Sequence, residues 1–568
     1  MKVSELKYER VTLEEFAQEA EEIIAEVKNA ASADQVLTAR DRCTALCVRL
    51  QTAESLSYMR YSINTVDEFY LKEKDYYDEI SPQAQDYLLR YAQAMLATPF
   101  RKKLEEAGEI IPLVFRSFEM ETKAFSPEII QDMIEENQVV SEYSKMMAGM
   151  EFEFRGEKLP RAMLMKYAKS DDRATRKEAY EVLGSTLKTY APQLDDIFDR
   201  LVHIRDRMAK KMGYPNFVEL GEYRMERLSY GRKEITAFRE NVRRDLVPLV
   251  AKLRMENAKR MGLDKMMLYD NDIIIPGGDP VPLGGKEEIF AAARDMYHDM
   301  SPETGRFIDF MLETEAFDVE ARKNKWGGGY CTEFRAYKQP FILANFNGTS
   351  GDVDVVTHEA GHAFADYMTA DNRFVVELGV GGMETAETHS MSMEFFAWRY
   401  MQKFFGGEAE KYKFMHLMDA FSFIPYGTIV DDFQRQVYEN PNMTPEERKR
   451  VWRELEAQFR PHLSALGIPY LEEGTRWQYQ MHIYETPFYY IDYCLAQTTA
   501  LQFLLASRKD YQDAFSRYVR LLRQGGEKTF PALVKEAGLK SPFEEGALKE
   551  VAADIQILLE ELAPKAGL

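Results

Sequence analysis

The sequence lacks the features of a secreted, membrane-spanning or nucleic-acid-binding protein. Its 568 residues include only four cysteines, too few for a disulfide framework in a chain of this length. The first residues hold no apolar stretch of the kind that a secretory signal needs, and no apolar run reaches the roughly 18 residues of a membrane span. Basic charge is also scarce, with 73 Lys and Arg against 94 Asp and Glu, a formal net charge of −21. We therefore expect a reduced, cytoplasmic protein that binds neither nucleic acid nor a membrane, and whose oligomeric state the sequence leaves open.

Helix signals dominate what is present. Thr12 with Glu15 and Thr444 with Glu447 have the spacing of a capping box, in which a Ser or Thr side chain and a Glu side chain satisfy backbone N–H groups at a helix start. Strand signals are few, and the clearest is the alternation of apolar and polar residues over 150–154, which predicts half of a hairpin. No linker-like segment divides the chain. We expect a mostly α-helical protein whose lobes form one body.

Histidines indicate where chemistry takes place. The chain has eight, and six of them fall between residues 358 and 482. Two belong to the motif His-Glu-Ala-Gly-His at 358–362, whose spacing leaves the imidazoles of His358 and His362 about 40° apart on one helix face. Two nitrogens so placed can share one tetrahedral zinc ion, while Glu359 is too poorly aimed to be a ligand and is well placed to hold the attacking water. The alternative is a surface helix with two incidental histidines.

A third zinc ligand is expected from the next helical segment, residues 382–404. Glu384, Glu387 and Glu394 share one face of this helix, whereas His389 points about 160° away from Glu387. Spacing favours a glutamate as the ligand without choosing which one, and it leaves His389 as an alternative. A glutamate that is not a ligand would accept the second N–H of a zinc-binding histidine.

Three segments together resemble a known family. His-Glu-Ala-Gly-His (358–362), Glu-Thr-His-Ser-Met-Ser-Met-Glu-Phe-Phe (387–396) and His-Ile-Tyr-Glu-Thr-Pro-Phe-Tyr-Tyr-Ile-Asp-Tyr (482–493) are similar to the oligoendopeptidase F branch of the thimet-oligopeptidase family. Within this branch the sequence most resembles the bacterial Pz-peptidases, which cut collagen-derived oligopeptides. The likeness is strong over residues 320–500.

The resemblance implies a zinc metalloendopeptidase and assigns its central residues. His358, His362 and Glu387 match the ligands of one zinc ion per chain, and Glu359 matches the general base. The implied reaction is hydrolysis of short unfolded oligopeptides. Two readings from other classes remain: a zinc carboxypeptidase of the helical type with the same metal motif, and a non-catalytic protein in which zinc only joins two helices.

The segment 482–493 carries the groups that stabilise charge in the reaction. Peptide hydrolysis builds negative charge on the carbonyl oxygen, and a donor aimed at that oxygen contributes several kcal/mol. By resemblance, His482 and either Tyr489 or Tyr493 serve as these donors. Tyr490 is expected to contact substrate, and at least one tyrosine of this segment is expected to belong to an aromatic core instead.

Residues 340–349 are apolar and precede the zinc helix. They predict a short strand along which a peptide could add as a further antiparallel strand, with Leu343, Ala344 and Asn345 contacting the substrate. The alternative is an ordinary core strand.

The resemblance also implies a two-lobed, zincin-type fold with a small β-sheet beside the zinc helix and a deep enclosed channel. We expect an N-terminal helical lobe over 1–170, which includes a short hairpin near 150–160, and a catalytic domain over 171–568. The catalytic domain is expected to contain the zinc helix 352–368, the third-ligand helix 382–404 and the His/Tyr segment 482–493.

Replacement of Glu387 tests the choice of the third ligand. The Glu387→Ala variant is expected to lose zinc affinity and nearly all activity, because it removes one of three protein ligands. Glu384→Ala and Glu394→Ala are expected to lose less of both. Metal analysis of the purified variants and their peptide turnover measure the difference. Full zinc content with normal turnover in Glu387→Ala would show that another residue is the ligand.

Overall fold

The computed structural model describes all 568 residues and is mostly helical, as predicted. The helices of the first half are α1 (Leu13–Asn29), α2 (Ala33–Ile63), α3 (Glu68–Ala97), α4 (Arg101–Glu106), α5 (Pro112–Ala124), α6 (Ile130–Gly149), α7 (Arg161–Ala168), α8 (Arg173–Lys211), α9 (Phe217–Arg224), α10 (Arg232–Asn241), α11 (Val247–Arg260) and α12 (Lys286–Met300). Those of the second half are α13 (Pro302–Glu313), α14 (Gly351–Thr369), α15 (Val375–Leu378), α16 (Met383–Phe396), α17 (Gln402–Phe405), α18 (Ala409–Glu439), α19 (Pro445–Phe459), α20 (Met481–Glu485), α21 (Tyr490–Lys509), α22 (Tyr511–Arg523), α23 (Phe530–Glu536) and α24 (Ala547–Lys565). The strands are β1 (Phe152–Phe154), β2 (Glu157–Leu159), β3 (Met266–Met267), β4 (Phe317–Glu320), β5 (Tyr330–Phe334), β6 (Gln339–Phe346) and β7 (Leu463–Ser464). No helix combines the length and apolar character needed to cross a membrane.

Two hydrophobic cores lie inside this helical body. The smaller core comes from α1 to α5 and also takes in Leu378 of α15 and Phe374, which directly precedes α15. The larger core begins with residues at the N-terminus, includes most of the segment after residue 125 and reaches the C-terminus. The hairpin expected near 150–160 is formed by β1 and β2, and both of its buried aromatic residues belong to the larger core. A domain boundary at residue 170 stays a prediction.

A three-stranded sheet lies beside α14, with the order β4-β6-β5. The central strand β6 pairs in parallel with β4 and antiparallel with β5, and Leu343 has a partner on each side, Asp318 and Tyr330. The predicted edge strand at 340–349 is therefore wrong, and the alternative of a core strand is right. A strand that is paired on both sides offers an added peptide fewer free backbone groups than β5, which lies at the edge of the sheet.

The segments that carry the metal-binding motifs form two packed helices. The predicted helix 352–368 is α14, which begins where the Asp352 carboxylate accepts backbone N–H bonds from Asn347 (2.9 Å) and Gly348 (2.8 Å). The predicted helix 382–404 is not continuous. Regular α16 ends at Phe396 and a 3₁₀ turn over Ala397–Tyr400 follows, in which Trp398 makes a buried hydrogen bond.

Gly361 allows α14 and α16 to approach closely. A Cβ atom at this position would lie 2.6 Å from the Ser390 Cα and 2.9 Å from the His389 carbonyl oxygen, both of them backbone atoms of α16. A side chain at 361 would therefore force the two helices apart. Because the motif His-Glu-Ala-Gly-His contains this glycine, the same segment supplies the two predicted histidine ligands and the space in which they approach α16.

The Gly361→Ala variant is expected to lower the free energy of unfolding by about 1–3 kcal/mol, the usual cost of overpacking a close contact. Denaturant unfolding measures this loss. Gly149→Ala is the matched control, because no atom lies within 4 Å of the Cβ that it adds. Equal stability of Gly361→Ala and Gly149→Ala would contradict the close approach of α14 and α16.

Candidate active site

Three side chains from two helices converge on one point. The Nε2 atoms of His358 and His362 on α14 each lie 3.4 Å from the Oε2 atom of Glu387 on α16. Tetrahedral zinc with ligand distances near 2.0–2.2 Å separates its ligand atoms by about 3.4 Å. All three ligand atoms lie within 4.8 Å of one another, and no other group of His, Cys, Asp or Glu in the chain meets this condition. The donor set and its spacing therefore fit zinc.

Glu394 holds His358 in the orientation that a metal needs. The His358 Nδ1–H donates to Glu394 Oε1 at 2.5 Å, which leaves Nε2 directed at Glu387 and His362. The other carboxylate oxygen of Glu394 accepts a bond from His416 Nε2 at 2.6 Å. Burial alone would raise the pKa of Glu394, but the two histidines lower it to about 2. Glu394 is thus a charged acceptor for both imidazoles.

Trp398 extends this chain of hydrogen bonds into the core. Its indole N–H donates to His416 Nδ1 at 2.9 Å, so the proton of a neutral His416 is on Nε2, where it can be donated to Glu394. The roles of His416 and Trp398 were not assigned from the sequence. The only signal in the sequence was the clustering of histidines, which included His416. Spacing along the sequence cannot show that a residue of α18 contacts α16.

Glu359 lies on α14 between the two histidine ligands. Its side chain is half-buried, and it acts electrostatically on Cys331 of β5 and on Tyr493 of α21. The carboxylate is therefore within electrostatic reach of the edge strand of the sheet and of the tyrosine group of the predicted His/Tyr segment. This position fits a base that serves a reaction beside the metal ligands.

His482 adjoins the tyrosine group, with its ring centre 5.7 Å from that of Tyr489 and 5.8 Å from that of Tyr493. Gln480 sets its tautomer. The Gln480 Oε1 atom accepts a bond from Tyr426, so its amide N–H₂ faces His482 Nδ1 at 3.1 Å. The ring proton of neutral His482 is then on Nε2. Burial lowers the pKa of His482 to about 4, which keeps the ring a neutral hydrogen-bond donor at pH 7.

The four tyrosines of the segment have different surroundings. The Tyr489 hydroxyl donates a short hydrogen bond to Glu387, and its ring lies 4.8 Å from that of Tyr493. Tyr490 is half-buried and packs against Phe423 and Tyr426. Tyr484 is fully buried and stacks on Tyr143 at 3.9 Å, so it is the tyrosine that belongs to the core.

Leu343, Ala344 and Asn345 do not offer a substrate surface. Leu343 and Ala344 are buried in the central strand of the sheet. The Asn345 amide donates to the carbonyl oxygens of Trp326 (3.0 Å) and Gly328 (2.8 Å), so it holds the loop before β5. The assignment of these three residues to substrate binding rested on an edge strand, and β6 is central.

The remaining candidates for the third ligand lie elsewhere. His389 is fully buried, its two ring nitrogens have no hydrogen-bond partner, and burial lowers its pKa to about 3. Glu384 is buried and lines a cavity between α16 and the N-terminal helices. Neither residue joins His358 and His362 at the point where Glu387 meets them.

Comparison with known proteins gives matches along the chain. The model of the peptidase M3 N-terminal domain matches residues 3–125, and that of peptidase family M3 matches residues 166–272 and 307–553. Oligopeptidase PepF of Bacillus subtilis (strain 168) is 22% identical over 387 residues, which are 66% of this chain and 55% of that protein. The chain thus spans about half the length of this curated relative.

Solved structures resemble the chain over its whole length. A putative oligoendopeptidase F is 43% identical with a TM-score of 0.96, and the match covers 100% of both chains. Pz peptidase A with an inhibitor is 42% identical with a TM-score of 0.96, over 99% of this chain and 100% of that one. A putative oligoendopeptidase F from Bacillus anthracis str. Ames is 38% identical with a TM-score of 0.91, over 100% and 99%. The predicted mostly helical fold with a small sheet beside the zinc helix is confirmed, and the deep enclosed channel stays a prediction.

The Glu394→Gln variant is expected to weaken zinc binding by about 10–100-fold. The glutamine amide is neutral and has only one acceptor oxygen, so it cannot accept the hydrogen bonds of both His358 and His416. Competition with a chelating dye measures zinc affinity without reference to activity. Glu14→Gln, on the exposed face of α1, is the control. An unchanged zinc affinity in Glu394→Gln would mean that Glu394 does not position His358.

Proposed function

Because the chain belongs to peptidase family M3, we propose that it is a zinc-dependent endopeptidase that hydrolyses short, unfolded oligopeptides. The convergence of His358, His362 and Glu387 at zinc-ligand spacing carries the proposal. Glu359 beside them and the neutral donor His482 supply the two further functions that peptide hydrolysis requires. Because the chain has a single group of candidate ligands, we propose one zinc ion per chain.

The residues divide the reaction between them. Bound zinc supplies a Lewis acid at the point where the three ligands meet. Glu359 orients the attacking water, accepts its proton and passes that proton to the departing amine. The Nε2–H of His482 donates to the carbonyl oxygen as negative charge develops there. A tyrosine hydroxyl adds a second donor. The Tyr489 hydroxyl already donates to Glu387. The Tyr493 hydroxyl, which is within electrostatic reach of Glu359, is therefore the better candidate for the second donor.

The free edge of β5 is the proposed place of the substrate backbone. This strand is an edge strand of the sheet, and Cys331, its second residue, contacts Asp366 of α14 (Sγ–Oδ2 3.9 Å). A peptide added antiparallel to β5 would be held by main-chain hydrogen bonds, which select little among side chains. The resemblance to Pz-peptidases extends the proposed substrates to collagen-derived oligopeptides, and an enclosed channel would limit them to short unfolded chains.

The Glu359→Gln variant is expected to retain zinc and to lose about 10²–10⁴-fold in kcat, because the amide cannot accept the proton of the water. The substrate is a peptide of about ten residues with both ends blocked, which at about 3.3 Å per residue is long enough to extend past both ends of the five-residue strand β5. Metal analysis and mass spectrometry of the products measure the two effects.

Each alternative has its own outcome in this assay. A carboxypeptidase would leave the doubly blocked peptide intact and cut it only once the C-terminus is free. A non-catalytic zinc protein would cut neither form in the wild type. Full turnover by zinc-loaded Glu359→Gln would contradict the role of Glu359.

A further inference from the structure

A strained turn between α20 and α21 joins the two parts of the His/Tyr segment. The Tyr489 N–H donates to the Thr486 carbonyl oxygen at 3.3 Å, with Pro487 and Phe488 between them. Phe488 has a φ of +68°, a left-handed conformation that is rare for a bulky aromatic residue. Proline followed by a positive φ is typical of a type II turn, in which glycine or asparagine usually stands where Phe488 does. The backbone at Phe488 is therefore strained.

Two side chains from other parts of the chain hold the backbone of Phe488. Its N–H donates to Gln434 Oε1 of α18 at 3.2 Å, and its carbonyl oxygen accepts a bond from Arg227 Nη2 at 2.7 Å. Gln434 is fully buried, and Arg227 is 4% exposed. The Gln434 amide N–H₂ donates to the Val430 carbonyl oxygen (3.1 Å), which leaves Oε1 to face Phe488. The strained residue thus has a buried partner for each of its backbone groups.

The ring of Phe488 is fixed as firmly as its backbone. The residue is buried, and its ring centre lies 5.5 Å from that of Tyr438 on α18. The ring also lies against Gly221 of α9, where an added Cβ would come within 2.6 Å of its Cδ2 atom. A strained residue persists only where its surroundings determine its conformation, and such residues cluster at functional sites. The strain at Phe488 therefore indicates that this turn serves the site beside it.

Tyr489 follows directly after the fixed residue and is only half-buried. Its hydroxyl donates to Oε1 of Glu387. The rings beside it, Tyr493 at 4.8 Å and His482 at 5.7 Å between centres, are half-buried as well. Packing by such neighbours constrains a side chain less than a close-packed core does. The direction in which the Tyr489 side chain leaves the turn is therefore set by the peptide of Phe488.

The two carboxylate oxygens of Glu387 have different partners. Oε2 lies 3.4 Å from the Nε2 atoms of His358 and His362 and accepts a bond from the Ser390 hydroxyl at 3.0 Å. Oε1 accepts the bond from Tyr489. Tyr489 can therefore fix the orientation of the carboxylate without using the oxygen that faces the histidines. Hydrogen-bond partners of this kind around a metal ligand typically contribute about 10–100-fold to metal affinity.

We propose that Gln434 and Arg227 are positioning residues for the zinc site. They hold the Phe488 peptide in its left-handed conformation, and that conformation keeps the Tyr489 hydroxyl on Glu387. The inference rests on the proposed zinc ligation by Glu387. It assigns a contribution to metal affinity to α18 and to the segment after α9, although neither of them contains a ligand.

Zinc affinity in a double-mutant cycle tests this path, because residues that act through one another have non-additive effects. The cycle consists of the wild type, Gln434→Met, Tyr489→Phe and the double variant. Gln434→Met removes the acceptor of the Phe488 N–H with little change in volume. Competition with a chelating dye measures the zinc affinity of each full-length protein without reference to turnover. Gln436→Met, the same substitution about 200° around α18 at a half-buried position, is the matched control.

Tyr489→Phe is expected to weaken zinc binding about tenfold. Gln434→Met is expected to weaken it by about three- to tenfold, the size expected of one hydrogen bond. The double variant should bind zinc as Tyr489→Phe does, because the hydroxyl that Gln434 positions is already absent. Gln436→Met should match the wild type. Unchanged affinity in Gln434→Met or Tyr489→Phe, or the same loss from Gln434→Met in both backgrounds, overturns the proposal.

Arg227→Lys tests the other side of the peptide and decides the matter if Gln434→Met does not fold. Arg227 also pairs with the buried Asp492 at 3.2 Å, and lysine keeps the charge that this carboxylate needs. The lysine side chain is one atom shorter, so we expect it to lose the bond to the Phe488 carbonyl oxygen. Its effect on zinc affinity should again disappear in the Tyr489→Phe background, and an additive or absent effect overturns the proposal. A wild type that binds no zinc would instead contradict the proposed function.

Discussion

The contact between α14 and α16 is the constraint on which the metal site depends. Two histidines one helical turn apart can offer only two ligands, and the third must come from a helix close enough to bring Glu387 within 3.4 Å of both. Gly361 makes that approach possible, because its missing side chain leaves room for the backbone of α16. The same approach lets Glu394, two turns further along α16, accept the Nδ1–H of His358.

Three histidines near the site have different pKa values because their hydrogen-bond partners differ. Burial lowers the pKa of His482 and of His389, to about 4 and about 3, because neither has a carboxylate partner. Burial acts in the same direction on His416, yet its pKa is raised because Glu394 accepts its proton-bearing nitrogen. His482 is consequently a neutral donor beside the tyrosines, whereas His416 supports the charge of Glu394.

Local periodicity made part of the site predictable from the sequence. Helix geometry alone predicts that His358 and His362 lie on the same face of α14. The choice of Glu387 came from the family resemblance, because spacing did not distinguish it from the other glutamates. The hydrogen bonds from Trp398 and His416 could not be predicted, since they depend on a 3₁₀ turn at 397–400 and on the return of α18 to α16. The edge position of β6 was predicted wrongly for a related reason. Its place in the sheet is set by β4, which pairs beside it from about 25 residues earlier in the chain.

The order of the three strands has a consequence for the proposed substrate path. With β6 central, only β5 offers a free edge beside α14, and an added peptide takes its direction from that strand. Since α2 runs antiparallel to β5, the N-terminal part of such a peptide would lie toward the N-terminal part of α2.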